Sequence, residues 1–304
     1  MTNTLSVRNP RTGIHDFDLP VLDRQTVVET ARDLRLGQPN WNALGFSERA
    51  RKLRDLADAL LQHIDPVAGA LEIDTGRRRI ARMEVQSVAA ALQAWAGQIP
   101  DSPGKVWSDG ISNPDLRHTS QLVPYGLVGV ISPWNFPLIL SMIDTIPALL
   151  AGCAVMIKPS EVTSRFVAPL EAAIESAGLS SVLRFVMGAG ETGAALVDQV
   201  DAICFTGSVP TGRKVAVQAA GRLIPAFLEL GGKDPLIVLA SADIEAATDA
   251  ALRGSVQSTG QACQSIERIY VDEQIHDAFL ARLVEKAASV RLNAGDITKG
   301  DIGP

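Results

Sequence analysis

A chain of 304 residues with 46% hydrophobic and 20% charged residues has the composition of a folded protein holding one large domain or two ordinary ones. Its net charge of −6 argues against a nucleic-acid backbone or an anionic membrane as the main partner, while a small anion can still bind at a helix N-terminus. Three cysteines without a C-x-x-C pair, and four histidines scattered at 15, 63, 118 and 276, argue against a disulfide framework and a zinc site. The first residues, M-T-N-T-L-S-V-R-N-P, hold no apolar signal core. The apolar stretch 127–157 is broken by Pro133, Pro137 and Pro147 and carries Asn135 and Asp144, so it does not read as a membrane span. The expectation is a cytoplasmic protein.

Residues 1–20 are polar, with turn signals at Asn9-Pro10 and Thr12-Gly13, and read as an extended arm. A helix is expected from Asp23 to Leu36, ending at Gly37. A second is expected from Ser47 to His63, where Leu53, Leu56, Ala57, Leu60 and Leu61 recur on one face. Its basic cluster, Arg49, Arg51, Lys52 and Arg54, reads as a solvated face rather than a nucleic-acid patch. Helices follow over Asp65–Glu72 and Arg78–Gly97, the latter turning Val85, Val88, Ala89, Leu92 and Trp95 inward. Pro100, Pro103, Gly104, Gly110 and Pro114 mark a long connection into a β-ribbon at 116–125.

From Leu127 the pattern becomes strand, turn, helix, repeated. Strands are expected at 127–131, 154–158, 183–186, 202–205, 226–230, 236–239 and 266–271. The helices between them fall at 166–177, 191–197, 212–220 and 243–258, and a last one lies within 272–290. This alternation implies an α/β fold, with a mostly parallel, doubly wound sheet covered on both faces.

Three stretches carry chemistry. Gly188-Ala189-Gly190-Glu191-Thr192-Gly193 matches G-x-G-x-x-G between a strand and a helix, but lacks an acidic residue at the end of the next strand, so it reads as a tight turn. The loop Phe205–Gly212, F-T-G-S-V-P-T-G, offers glycines, hydroxyls and a helix N-terminus to an anion; equally, Ser208 can be an ordinary N-cap. Cys153 and Cys204 sit among apolar neighbours and read as core thiols. Cys263 follows Gly260, Gln261 and Ala262, where backbone amides can approach an oxyanion. It is either an idle thiol or a nucleophile with Glu229 as an upstream base.

The motifs P-W-N-F-P (133–137), I-K-P-S-E (157–161), F-T-G-S (205–208), E-L-G-G-K (229–233) and G-Q-A-C (260–263), with N-P-R-T-G (9–13), stand in the order found in the aldehyde dehydrogenase superfamily. The chain resembles that superfamily over essentially its whole length. The resemblance implies that the Cys263 thiolate attacks an aldehyde to give a thiohemiacetal. The Asn135 amide and the Cys263 N–H would hold the oxyanion, although Asn135 alone also reads as a turn former. Hydride would pass to a nicotinamide, leaving a thioester, and Glu229 would activate the water that hydrolyses it. Lys158 and Glu161 would hold the adenosine ribose, Gly207 and Ser208 the pyrophosphate, and Trp134 and Leu230 would line the cofactor cleft. A carboxylate at 161 favours NAD, with NADP tolerated through Lys158.

The same resemblance implies a Rossmann-like cofactor unit over 1–228 and, over 229–304, the first part of an α/β catalytic domain whose sheet opens near Glu229. The final Asp301-Ile302-Gly303-Pro304 resembles a stretch lying mid-domain in the family, so the chain reads as truncated, with an uncovered sheet edge prone to aggregation and little activity by itself. The expected function is oxidation of an aldehyde, a small-molecule substrate, to its carboxylic acid with NAD(P) by a protein that is a homo-oligomer at full length. The alternatives are acyl transfer to coenzyme A, or an inactive cofactor-binding or structural chain.

Overall fold

A computed structural model describes residues 4–98 and 107–303. The entry arm is a hairpin, β1 (Thr4–Arg8) antiparallel to β2 (His15–Pro20), in which the Asn9 side chain accepts the Arg11 N–H at 3.0 Å. Helix α1 (Arg24–Ala43) starts at Asp23, whose carboxylate accepts the Thr26 N–H at 2.8 Å. It does not stop at Gly37 but continues past Pro39. A Cβ at Gly37 would lie 2.2 Å from the Ser181 carbonyl oxygen, so this glycine is a packing point and not a terminator. Beyond it, buried Trp41 donates its indole N–H to Leu149 O at 2.8 Å, so tertiary contact overrides the helix-breaking pair.

Helices α2 (Gly45–Gln62), α3 (Ile64–Thr75) and α4 (Arg78–Gly97) follow. In α2, Leu53, Leu56, Ala57 and Leu60 are buried, while Leu61 is exposed. The basic cluster is not uniformly solvated: Arg49 is buried and donates to Leu150 O at 2.9 Å and Asn42 O at 2.8 Å. In α4, Val85, Val88, Ala89 and Leu92 face inward as expected. Trp95 is 39% exposed, and Ala96 takes the inward place. The connection at Pro100, Pro103 and Gly104 lies outside the described residues. The ribbon expected over 116–125 narrows to β3 (Ser108–Asp109) paired with β4 (Arg117–His118).

The chain then lays down β5 (Leu127–Ile131), α5 (Pro137–Met142), α6 (Thr145–Ala151), β6 (Ala154–Lys158), α7 (Val167–Ser176), β7 (Leu183–Phe185), α8 (Gly190–Val197), β8 (Ala202–Thr206), α9 (Val209–Gly221) and β9 (Ala226–Glu229). All five strands are parallel, in the order β7-β6-β5-β8-β9. Right-handed crossovers put successive helices on one face until the strand order reverses, and on the other face afterwards. Accordingly α2 packs on α6 and α7, and α1 packs on α8. Every residue of β6 and β8 is buried, as a strand covered on both faces requires.

Gly129, in the middle of β5, has no room for a side chain: a Cβ would lie 2.5 Å from Leu196 Cδ2 and 2.9 Å from Ile203 Cδ1. Gly129→Val is therefore expected to destabilise the fold by about 1–3 kcal/mol through overpacking. A urea titration with an unchanged midpoint would contradict this.

After β9 come β10 (Asp234–Val238), α10 (Ile244–Val256), a 3-10 turn (Gln257–Gly260), β11 (Ile266–Val271) and α11 (His276–Ala288). Strands β10 and β11 form a separate parallel pair, backed by α10 and α11 around Val238, Ala251 and Phe279. This second sheet opens at Asp234. Glu229, expected to begin it, instead pairs with Thr206 as the last residue of the five-stranded sheet. Ile237, Leu239 and Tyr270 are exposed on the small sheet. No helix among the described residues is long and apolar enough to cross a membrane.

Candidate active site

The strand order reverses between β5 and β8, and in an open parallel sheet the loops leaving the carboxyl ends of such a strand pair diverge into a crevice. Ser132–Phe136 leaves β5 there, Gly207-Ser208 leaves β8, and Lys158 closes β6 alongside. The G-x-G-x-x-G stretch instead follows β7, the edge strand. A Cβ on Gly188 would meet Thr192 Oγ1 at 2.0 Å, so the turn itself demands that glycine.

Lys158 is buried and its Nζ contacts Glu161 Oε2 at 2.9 Å. Burial pushes the Glu161 carboxyl up, but the charge and hydrogen bond of Lys158 outweigh this and hold its pKa below the ordinary value. Trp134 is half-exposed, and its carbonyl accepts the Thr163 hydroxyl at 3.1 Å, which ties the β5 and β6 loops together. Ser208 caps α9, accepting the Thr211 N–H at 3.4 Å. A Cβ at Gly207 would lie 2.7 Å from the Phe205 ring, and one at Gly212 would lie 2.5 Å from Leu230 Cδ2. Both glycines thus keep the helix end close to its floor. A buried ammonium beside a carboxylate, a helix N-terminus with a hydroxyl, and an indole form a donor set that fits a nicotinamide dinucleotide's ribose, pyrophosphate and ring.

The three cysteines divide by burial. Cys153 and Cys204 are buried and Cys263 is exposed. Burial pushes the Cys153 thiol up, and burial with the nearby Asp144 charge pushes Cys204 up to about 12, so neither supplies thiolate at neutral pH. Cys263 follows the turn in which Ser258 (φ 55°), Thr259 (φ 60°) and Gly260 (φ 72°) are all left-handed, an unfavourable conformation for the first two. An open surface pocket of about 210 Å³ is lined by Glu229–Gly232, Asp234, Cys263 and Gln264, so Glu229 and Cys263 border the same shallow depression. Gly232 lets the chain pass: its Cβ would lie 2.7 Å from Asp234 Oδ1 and 3.5 Å from Cys263 O.

Asn135 reaches the same segment, its Nδ2 donating to Gln261 O at 3.0 Å. The fold therefore brings Asn135 to the loop that carries Cys263 and Glu229 to the pocket that Cys263 lines, while Lys158, Glu161, Gly207, Ser208, Trp134 and Leu230 lie along the strand ends. Two residues behind Asn135 escaped the sequence reading. Arg77 donates to Asn135 O and stacks over the Phe136 ring at 5.2 Å. Glu84 accepts the N–H groups of Leu138 at 3.0 Å and Ile139 at 3.2 Å. The available signal was a carboxylate on the otherwise apolar face of α4, between Ala81 and Val85. Asp144 is a further neighbour: burial, then the charge of Glu229, pushes its carboxyl up. No group of side chains suited to hold a metal ion occurs among the described residues.

The model of the aldehyde dehydrogenase family matches residues 1–304. The chain is 35% identical over 292 residues to 4,4'-diapolycopene aldehyde oxidase of Methylomonas sp, covering 93% of this chain and 54% of that protein. It is 34% identical over 269 residues to betaine aldehyde dehydrogenase of Bacillus subtilis, covering 87% of this chain and 54% of that protein. Among solved structures it superposes on PutA of Anabaena variabilis with a TM-score of 0.94 at 49% identity, covering 99% of this chain and 64% of that one. On lactaldehyde dehydrogenase of Escherichia coli the TM-score is 0.91 at 29% identity, covering 99% and 64%. The chain thus spans a little over half the length of these curated relatives. With its fold matched along almost all its length, it belongs to the aldehyde dehydrogenase family, whose members oxidise aldehydes with NAD(P).

Proposed function

We propose that the protein to which these residues belong oxidises an aldehyde to its carboxylic acid through a thioester on Cys263. The observation that carries this reading is the single pocket shared by Glu229 and Cys263, with Asn135 bonded to the loop that presents the cysteine. The Cys263 thiolate, its proton lost to solvent, adds to the carbonyl carbon; the oxyanion takes hydrogen bonds from the Asn135 amide and the Cys263 N–H, and the thioester forms as the C–H bond of that carbon breaks with loss of hydride. One Asn135 N–H is held by Gln261 O, which leaves the other for the oxyanion. A bound dinucleotide supplies the hydride acceptor for the oxidation. Glu229 then takes a proton from water, the hydroxide adds to the thioester carbon, and the C–S bond breaks to release the acid.

Lys158 and Glu161 would hold the adenosine ribose, Ser208 and Gly207 the pyrophosphate, and Trp134 and Leu230 the cleft walls. The Glu161 carboxylate favours the 2′-hydroxyl of NAD over the 2′-phosphate of NADP. This reading places the cofactor unit in 1–228 and the start of the catalytic unit in 229–304. It makes the whole protein a homo-oligomer in a reducing cytoplasm, where Cys263 stays a free thiol.

A second reading also has support: these residues alone hold the cofactor without turnover. Cys263 and Glu229 are both exposed, and among the described residues their pocket is lined by Glu229–Gly232, Asp234, Cys263 and Gln264. Thiol alkylation of the purified chain, followed by mass with and without NAD, tests both readings. The first predicts that Cys263 labels well before Cys153 and Cys204 and that NAD changes its rate. Labelling of all three cysteines at one NAD-independent rate would remove it for this chain.

A further inference from the structure

We infer that Arg77 and Glu84 are positioning residues for the oxyanion donor, clamping the two ends of the turn that carries Asn135. This rests on the reading of Asn135 as that donor. Arg77 is 8% exposed and Glu84 is fully buried; burial works against the charge of each, the opposite charge of the other offsets it in part, and the turn supplies the hydrogen bonds. Among the described residues, the hydrogen bonds made by the two side chains all end on the same turn. Arg77 donates to Asn135 O, and Glu84 Oε2 accepts the Leu138 and Ile139 N–H groups. Among the described residues Arg77 Nη1 and Glu84 Oε1 have no hydrogen-bond partner, so the hydrogen bonds of both side chains go to this turn.

The turn needs such anchors. Helix α5 has only six residues and no side-chain cap of its own, and Glu84 supplies the acceptor its first N–H groups lack. Between the anchors stand Asn135, Phe136 and Pro137: Pro137 has a fixed φ, and the Phe136 ring lies under the Arg77 guanidinium. With the Asn135 carbonyl, the Phe136 ring and the next two amides held, the Asn135 side chain can swing only about its own torsions. Its Nδ2 bond to Gln261 O fixes those. A short rigid turn held from behind by α4 thus presents one amide hydrogen to the nucleophile loop.

The test separates oxyanion chemistry from mere thiol access. In acylation by 4-nitrophenyl acetate, an S–C bond forms at Cys263, the C–O bond to nitrophenolate breaks, and the thiol proton goes to solvent. An oxyanion develops on the way. Alkylation by iodoacetamide displaces iodide at the same sulfur and develops no oxyanion. Both rates are read at Cys263 by peptide mass in the 304-residue chain, without cofactor. Arg77→Met and Glu84→Ala are expected to lower the acylation-to-alkylation ratio roughly tenfold to a hundredfold. Arg77→Lys and Glu84→Gln, which keep a donor and an acceptor in place, are expected to recover much of it. Asn135→Ala sets the floor.

A ratio unchanged in Arg77→Met and Glu84→Ala but lowered in Asn135→Ala overturns the positioning role alone, as does equal slowing of both reactions with no recovery in the conservative variants. A ratio unmoved by Asn135→Ala overturns the donor reading beneath it.

Discussion

Cys263→Ser is expected to reduce both aldehyde oxidation and acylation by 4-nitrophenyl acetate by about 10⁴-fold or more. The size of the loss follows from what surrounds the sulfur. A cysteine carries a small thiolate fraction at neutral pH and is strongly nucleophilic, whereas a serine hydroxyl needs a base against it. No histidine reaches the pocket that holds Cys263. His63 binds Ala59 O within its own helix region, and His276 contacts the adjacent Asp277. Among the described residues Glu229 makes no hydrogen bond to the Cys263 thiol, and in the proposed reading it acts on water. Cys153→Ala and Cys204→Ala are expected to leave both rates within about twofold, since those thiols are buried and held protonated. The rates come from reduced-cofactor absorbance and from nitrophenolate release. A serine variant retaining a tenth of the activity, or a Cys204 variant losing it, would contradict the assignment.

Glu229→Gln should stall the chemistry one step later. Glutamine keeps the size of the side chain at the carboxyl end of β9 but cannot take a proton, so the acyl group is expected to persist on Cys263. Deacylation should slow by about 10²–10⁴-fold, the usual worth of a positioned general base. Pre-steady-state nitrophenolate release would show a burst of normal size followed by little turnover, and intact mass would show one acyl group per chain. Acyl loss as fast as in the parent chain would exclude Glu229 as the base. Addition of coenzyme A gives a second reading from the same sample. If the thiol clears the acyl group from the parent chain much faster than water does, the acceptor is coenzyme A, and Glu229 serves another purpose.

Much of the fold was legible because its signals are local. The fully buried strands Ala154–Lys158 and Ala202–Thr206 announce themselves as apolar runs, and Asp23 and Asp243 each cap the helix that follows as their side chains allow. The errors are equally physical. Gly37 and Pro39 look like a helix end, yet α1 runs through them because Ser181 needs Gly37 bare and Leu149 needs the indole of Trp41. Arg49 looks like one more surface cation, yet it is buried against the carbonyls of Asn42 and Leu150.

For the site, the sequence by itself determined an isolated cysteine in a low-bulk loop and a carboxylate before a glycine pair, statements about neighbours along the chain that composition and spacing can carry. The asparagine between prolines and the lysine and glutamate three residues apart stood out only through the resemblance of their motifs to a family. Only the tertiary structure decided which of them meet. It placed the β5 and β8 loops at the reversal of strand order and brought Glu229 and Cys263 to the edge of one open pocket. It also set Arg77 and Glu84 behind Asn135. Those relations depend on parallel strands that pair across long stretches of sequence. A buried charge on α4 has no local signature of what it holds, because its partners are backbone groups of a turn more than fifty residues away.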